Sequence, residues 1–344
     1  MKVLLVGSDL DVAIERYYKK YLTDFGVEIY HYPAPDIVFR FHSKNIINKI
    51  LFKLDIYKKY GFVNRELMRI AEEFRPDIIW IFKGLEIFPS TLKKLRKKFR
   101  LANFNPDHPF IIIARSNGNR NVKNSVGLYH LHFSYNSRLV RRIQDEFNIP
   151  AVFLPFAYDR FDLEYEPPES VKEILKVCFQ ANPDAWRVQK IKALADAGVE
   201  VVVYGHGWDK TSLWEYNNVH LHPIASRKTF WLLNQEYRVQ LNLFRKYNND
   251  SHNMRTFEIP AVGGIQLSPY SSEQAEFFDE NKEIFLFKND GQMISMAKKL
   301  LSMPRTEADA IRQAARTRSI NSPYSFEDRA LTVYKTFQEL MKAW

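Results

Sequence analysis

Along its first hundred residues the chain alternates short continuous apolar runs with longer segments whose apolar positions recur every three or four residues. Lys2–Val6, Val27–Tyr32, Asp77–Phe82 and Arg100–Phe104 read as strands. Between them Asp11–Phe25, Glu66–Phe74 and Pro89–Phe99 read as helices, with Pro89 in a first turn, where its missing N–H is not needed. Leu128–Phe133, Ser137–Phe147 and Ala151–Leu154 continue as strand, helix and strand. The charged, proline-bearing run Glu164-Tyr165-Glu166-Pro167-Pro168-Glu169 reads as a linker.

Beyond it the alternation restarts. Leu175–Gln180, Glu200–Tyr204, Val219–Leu221, Val239–Leu243, Ile265–Leu267 and Ile284–Phe287 are strand-like. Helices are expected at Ala185–Ala197 and Arg227–Gln235, in the stretch that ends at Gly263-Gly264, in two segments up to about Arg318, and at Ser325–Met341. Two rounds of strand–helix alternation predict two α/β domains, each around a parallel sheet.

Composition narrows the class. A chain of 344 residues with 46% hydrophobic content is ample for two packed cores. No apolar run approaches the roughly 20 residues of a membrane span, and the first seven residues are too short and acid-flanked for a signal peptide. The single Cys178 cannot form an internal disulfide, which fits a reducing cytoplasm. The first βα turn has one glycine, Gly7, so it is not a dinucleotide fingerprint.

Charge is unevenly placed. Residues 1–160 hold 27 Lys+Arg against 16 Asp+Glu, and residues 161–344 hold 23 against 24. The excess implies an acidic partner for the first half: an anionic membrane surface at the inner face, a lipid-linked phosphate or an acidic glycan. No nucleic-acid reader module is recognisable, and none is expected to bind. Within this half, His42–Tyr60 has apolar residues at 46, 47, 50, 51, 54 and 57 and lysines at 44, 49, 53, 58 and 59. That is a basic amphipathic helix, which either lies on an anionic bilayer or turns its apolar side to the core.

The stretch with the most chemistry runs from Asn249 to Gly264. A polar loop, Asp250-Ser251-His252-Asn253, leads into a short apolar helical pattern that stops at Gly263-Gly264. A loop feeding a helix N-terminus offers unpaired N–H groups and a partial positive charge, which suit a diphosphate. Arg255 in the first turn adds a fork for phosphate oxygens, and Glu258 one turn on suits the hydroxyls of a ribose. The competing reading is a surface helix with an Arg–Glu pair and a glycine cap.

Arg255-Thr256-Phe257-Glu258, with the small residue and glycines that follow, resembles the signature of GT-B glycosyltransferases, in particular the spore-coat CgeB-like family. Asp250 and Glu258 stand at the spacing of the acidic residue and Glu that frame this loop in retaining members, with Asp in the first place. Leu154-Pro155-Phe156-Ala157 resembles the passage joining the two halves of such chains, and Gly205-His206-Gly207-Trp208 resembles their Gly-x-Gly-Trp turn. The resemblance implies an α/β, GT-B fold with two Rossmann-like domains, 1–160 and 161–322, facing across a cleft. Residues 323–344 would form a helix crossing back to the first domain.

By the same resemblance the chain would move a sugar from a nucleotide-sugar such as a UDP-sugar to an acceptor hydroxyl on a glycan, lipid or protein. Arg187, Gly205, His206, Gly207, Ile224, His252, Asn253, Met254, Arg255 and Glu258 would hold the donor, with Asp250 beside the reacting sugar. Asp107 and His108, in the turn Asn105-Pro106-Asp107-His108-Pro109 after a strand, would supply a base for the acceptor, unless this is a plain turn. The second half has no Asp-x-Asp, so no metal ion and no other cofactor is expected; basic residues and the helix N-terminus would neutralise the diphosphate. His220 and His222 share a strand face but lack a third ligand nearby, so a zinc site is not expected. The alternatives are a catalytically inactive nucleotide-sugar-binding module and a GT-B-like epimerase.

Overall fold

The computed structural model describes residues 1–11, 13–53, 59–112, 118–160, 172–244 and 250–342. The chain divides into two compact units, Met1–Pro155 with Phe326–Trp344, and Phe156–Ser325. Tyr158 belongs to the second unit because its hydroxyl donates to the Ser319 carbonyl (3.1 Å) and its backbone bridges to Ser325. The linker expected at 164–169 lies outside the described residues.

The first unit is built on six parallel strands, β1 (Lys2–Val6), β2 (Glu28–Tyr32), β3 (Ile78–Phe82), β4 (Arg100–Asn105), β5 (Leu131–Ser134) and β6 (Ala151–Phe153). Their order is β2-β1-β3-β4-β5-β6. Every residue of β3, Ile-Ile-Trp-Ile-Phe, is buried, as a central strand covered on both faces must be. Helices α1 (Glu15–Asp24), α2 (Ala34–Ser43), α3 (Ile46–Lys53), α4 (Tyr60–Phe74), α5 (Pro89–Leu95), α6 (Arg120–Ser125) and α7 (Ser137–Phe147) connect the strands. One sheet face packs Leu4, Ile79, Ile81 and Leu101 on Val63, Leu67 and Leu92. On the final helix, Phe326–Lys342, Phe326 stacks on Tyr17 at 4.3 Å. Its Phe337 meets Trp80 and Phe133 edge-on at 5.4 and 5.7 Å.

The second unit repeats the plan with β7 (Ile174–Gln180), β8 (Val201–Tyr204), β9 (Val219–His222), β10 (Tyr237–Leu241), β11 (Gln266–Pro269) and β12 (Ile284–Phe287), in the order β12-β11-β10-β7-β8-β9. Its helices are α8 (Ala185–Asp196), α9 (Arg227–Glu236), α10 (Met254–Ala261), α11 (Ser272–Phe277), α12 (Asp290–Ser302) and α13 (Arg305–Asn321). Both sheets are Rossmann-like. Strand order reverses between β1 and β3 in one and between β7 and β10 in the other, and such switch points are where open α/β sheets bind ligands.

Two features differ from the pattern-based reading. The stretch 42–60 is not one helix: α2 ends at Ser43, α3 spans Ile46–Lys53, and α4 starts at Tyr60, with 54–58 outside the described residues. Nor does α3 turn its apolar side to the core, since Ile46, Ile47 and Ile50 are all exposed. Helix α2 went unread because its apolar residues at 37, 38, 39 and 41 give no clean 3.6-residue period.

Candidate functional site

The loop 250–254 and α10 begin just beyond the carboxyl end of β10, beside the switch point of the second sheet. Asn253 caps the helix: its side chain accepts from the Thr256 N–H at 3.1 Å, and Thr256 Oγ1 accepts from the Asn253 N–H at 3.3 Å. Asn242 and Asn253 exchange side-chain hydrogen bonds at 2.8 and 3.1 Å. Thr256 Oγ1 and Gln266 Nε2 both donate to Gln274 Oε1, each at 3.2 Å. Asn242, Thr256, Gln266 and Gln274 are fully buried, so these bonds act in a low dielectric and hold one geometry.

His252 is part of the same scaffold. Its Nε2 accepts from the Phe156 N–H at 3.1 Å, which puts the ring proton on Nδ1, 2.8 Å from Glu273 Oε2. Ser251 donates to the same carboxylate oxygen at 2.8 Å. The imidazole is thus committed on both sides. At the far end of α10, Gly263 adopts φ +78°, a left-handed conformation that releases the chain into β11.

Arg255 is the exception to this saturation. Its guanidinium lies 5.6 Å over the Phe230 ring of α9, and its Nε is buried without a hydrogen-bond partner. Among the described residues Arg255 makes no hydrogen bond and no ion pair. Burial lowers its pKa, and the nearby Glu258 carboxylate opposes that effect. Glu258 is itself buried one turn on, yet the two do not close into an ion pair. The surface-helix reading therefore fails. A cation held in a half-buried place without an anion is disfavoured unless a ligand supplies one.

Around this helix lie the ends of β7 and β8. Arg187 is buried: Nη1 donates to the Asn182 carbonyl (2.9 Å), Nη2 to the Leu243 carbonyl (3.1 Å), and Nε lies 3.4 Å from Asp184. It ties the loop after β7 to the end of β10, so it positions backbone where a second cation on a diphosphate was expected. Gly205 has no room for a side chain, because a Cβ would stand 2.3 Å from the Ala181 carbonyl. Trp208 Nε1 donates to that same carbonyl (2.8 Å), and the His206 N–H donates to Asn182 (2.8 Å). His206 and Ile224 are exposed, Gly207 is left-handed at φ +95°, and Met254 is half-buried. Asp250 also has positive φ, 60°, a strained value for a residue with a side chain.

In the first unit the loops after β1 and β3 carry a polar cluster that the sequence reading missed. Asp36 of α2 accepts from Ser8 Oγ (2.8 Å) and from the Asp9 N–H (2.7 Å), and Glu15 accepts from the Ser8 N–H (3.0 Å). Glu86 is buried in the loop after β3, fixed by Asn64, which donates to its carbonyl at 2.7 Å. Burial pushes the carboxyls of Glu86 and Glu15 up to about 7, against the pull of their own backbone N–H groups and of Lys83. Lys83 has φ +53° and pairs with Asp107 at 2.7 Å. The signal was scattered: Glu15 and Glu86 lie 71 residues apart in sequence, with Asp36 between them and no local motif.

Asp107 and His108 do not form a dyad. The Asp107 carboxylate goes to Lys83, while His108 Nδ1 accepts from the Phe110 N–H at 3.3 Å, and burial, then Arg142, lowers the His108 pKa. His220 is 2.8 Å from Glu200 and 2.9 Å from Lys176, whereas His222 stacks on Tyr204 at 4.8 Å. Among the described residues no three His, Cys, Asp or Glu side chains are grouped to hold a metal ion. One Asp-x-Asp does occur, Asp9-Leu10-Asp11 in the first unit, but Asp9 lies 3.4 Å from His31 and Asp11 pairs with Arg16. Two hollows, of about 620 and 340 Å³, lie along α13 and include neither Arg255 nor Glu258.

Residues 185–335 match the protein family described as Glycosyl transferase-like. No curated protein matches the chain. Among solved structures the chain is similar to a sucrose-phosphate synthase from Thermosynechococcus elongatus (TM-score 0.71, 11% identity, 100% of both chains covered). It is also similar to an α,α-trehalose-phosphate synthase (UDP-forming) from Burkholderia xenovorans in complex with glucose-6-phosphate (0.67, 10%, 98% of this chain and 100% of that one). A glycosyltransferase from Rickettsia africae matches at 0.66 with 14% identity, covering 99% and 98%. The fold of the chain is thus that of GT-B glycosyltransferases.

Proposed function

We propose that the protein transfers a sugar from a nucleotide-sugar, best a UDP-sugar, to an acceptor hydroxyl without a metal ion. The observation that carries this reading is Arg255: a half-buried guanidinium in the first turn of α10, unbonded among the described residues, beside a buried Glu258. A diphosphate there completes the hydrogen bonding of Arg255 and meets the first-turn N–H groups of the helix. Glu258 then accepts from the ribose hydroxyls. The family match over residues 185–335 supports the reading, and so does a UDP-forming enzyme among the structural neighbours.

In the transition state the bond from the sugar carbon to the diphosphate lengthens and negative charge grows on the leaving oxygen. Arg255 and the helix N-terminus stabilise that charge, which is the larger part of what such a site contributes. In the first unit the Glu86 carboxyl, held at about 7, can exchange a proton near neutral pH. Lys83, paired with Asp107, keeps a positive charge beside it. The test is a thermal-shift screen against UDP, GDP, dTDP and their sugars, followed by a transfer assay with the nucleotide that binds. A rise in melting temperature for one nucleotide family is expected, because binding to the native state alone stabilises it. No shift with any of them contradicts the reading, and a shift without transfer would leave an inactive binding module.

A further inference from the structure

The first unit presents one surface that sugar transfer does not use. Of the fifteen exposed large hydrophobic side chains among the described residues, five fall between residues 39 and 62: Phe39, Ile46, Ile47, Ile50 and Phe62. Ile46 and Ile47 expose 68% and 65% of their surface, and Phe39 64%. Positions 46, 47 and 50 occupy one face of α3. Isolated exposed hydrophobics are ordinary, but a run of them on one helix face marks a binding surface.

The charge around this face selects its occupant. Residues 39–62 carry six Lys+Arg against one Asp. Arg40 and Lys44 are exposed, and Lys59 lies 5.2 Å over the ring of Phe41 and 5.0 Å over that of Phe62. Protein interfaces deplete lysine at their centres and favour aromatic residues and arginine. A nucleic-acid surface has no use for three exposed isoleucines. Isoleucines flanked by lysines are instead what a helix lying in a bilayer interface requires: apolar side chains among the acyl chains, cations at the phosphate level.

We infer that α3, with the adjoining ends of α2 and α4, docks the protein on an anionic lipid bilayer. Ile46, Ile47 and Ile50 enter the interface, and Arg40, Lys44 and Lys59 meet the headgroups. The inference is independent of the sugar-transfer reading, because none of these residues belongs to the donor or acceptor machinery.

Co-sedimentation of the full chain with vesicles tests it, comparing pure phosphatidylcholine with phosphatidylcholine containing phosphatidylserine. Binding is expected to the phosphatidylserine vesicles only, and to weaken as salt is raised. Replacing Ile46, Ile47 and Ile50 with Ser, or Arg40, Lys44 and Lys59 with Gln, should each lower partitioning by about tenfold or more. Both variants should keep wild-type UDP affinity and a melting temperature close to wild type, since five of the six changed side chains are exposed. Failure to bind anionic vesicles overturns the inference, as does binding that ignores both variants. A dimer in light scattering that the serine variant turns into monomer would make the face a self-interface and equally overturn it.

Discussion

His252 and Glu273 form a buried pair in which neutral imidazole donates from Nδ1 to the carboxylate at 2.8 Å while its Nε2 holds the Phe156 N–H. Ser251 donates to the same oxygen. Removing the carboxylate leaves two buried donors unsatisfied at the loop that carries Arg255. Glu273→Ala should therefore destabilise the protein by about 2–4 kcal/mol, with Glu273→Gln milder because it retains an acceptor. Urea unfolding measures both; a Glu273→Ala midpoint within error of wild type would show that the pair does not hold the loop.

The Glu86 carboxyl titrates at about 7, above the 4.5 of an unfolded chain. The folded state binds this proton more tightly, so the stability the group contributes is full below pH 4.5 and is lost as pH rises to about 7. Glu15 titrates in the same range and faces the same charges, Asp36 and Lys83, so the two act as a coupled pair. Glu86→Gln removes the loss at Glu86. Its unfolding free energy should gain on wild type by roughly 2–3 kcal/mol between pH 5 and pH 8. Parallel stability curves for the two proteins would exclude a raised Glu86.

Arg238, buried in β10, grips Glu173 through both oxygens at 2.6 and 2.5 Å and donates to the carbonyls of Leu300 and Met303. Burial alone would raise the Glu173 carboxyl, but Arg238 and Arg312 outweigh it and hold it at about 2. This stability is present above pH 4.5 and disappears as pH falls toward 2. Arg238→Met should cost about 2–3 kcal/mol at neutral pH, because it leaves a largely buried carboxylate to Arg312 alone and frees the carbonyls of Leu300 and Met303. Calorimetric unfolding would read the loss; a cost under 1 kcal/mol would make the pair a spectator.

Transfer should persist in excess EDTA. The second half has no Asp-x-Asp, and Arg255 with the α10 N-terminus offers the positive charge a diphosphate needs. Activity lost in EDTA and restored by manganese would overturn the metal-free reaction and return attention to Asp9 and Asp11.

Strands were legible because buried parallel strands are continuous apolar runs, and β3 and β10 to β12 lie within two residues of where the pattern put them. The polar lead into α10 was legible too, since a polar loop running into a short apolar period that stops at two glycines needs only local sequence. What Arg187 does was not. A helix arginine looks the same whether it reaches solvent, a ligand or the Leu243 carbonyl, and only the fold brings residues 187 and 243 together. The cluster of Glu15, Asp36, Glu86 and Lys83 was hidden for the same reason, because strand order rather than spacing assembles it. The isoleucines of α3 show the converse: periodicity named the stripe but not the side it faces.

The central claim is that Arg255 holds the donor diphosphate, and isothermal titration of UDP into wild type and Arg255→Ala tests it most directly. A hydrogen-bonded charged contact of this kind contributes about 1.5–3 kcal/mol, so the variant, folded to the same melting temperature, should bind roughly 10- to 150-fold more weakly. A folded Arg255→Ala protein that binds UDP as tightly as wild type would contradict the account.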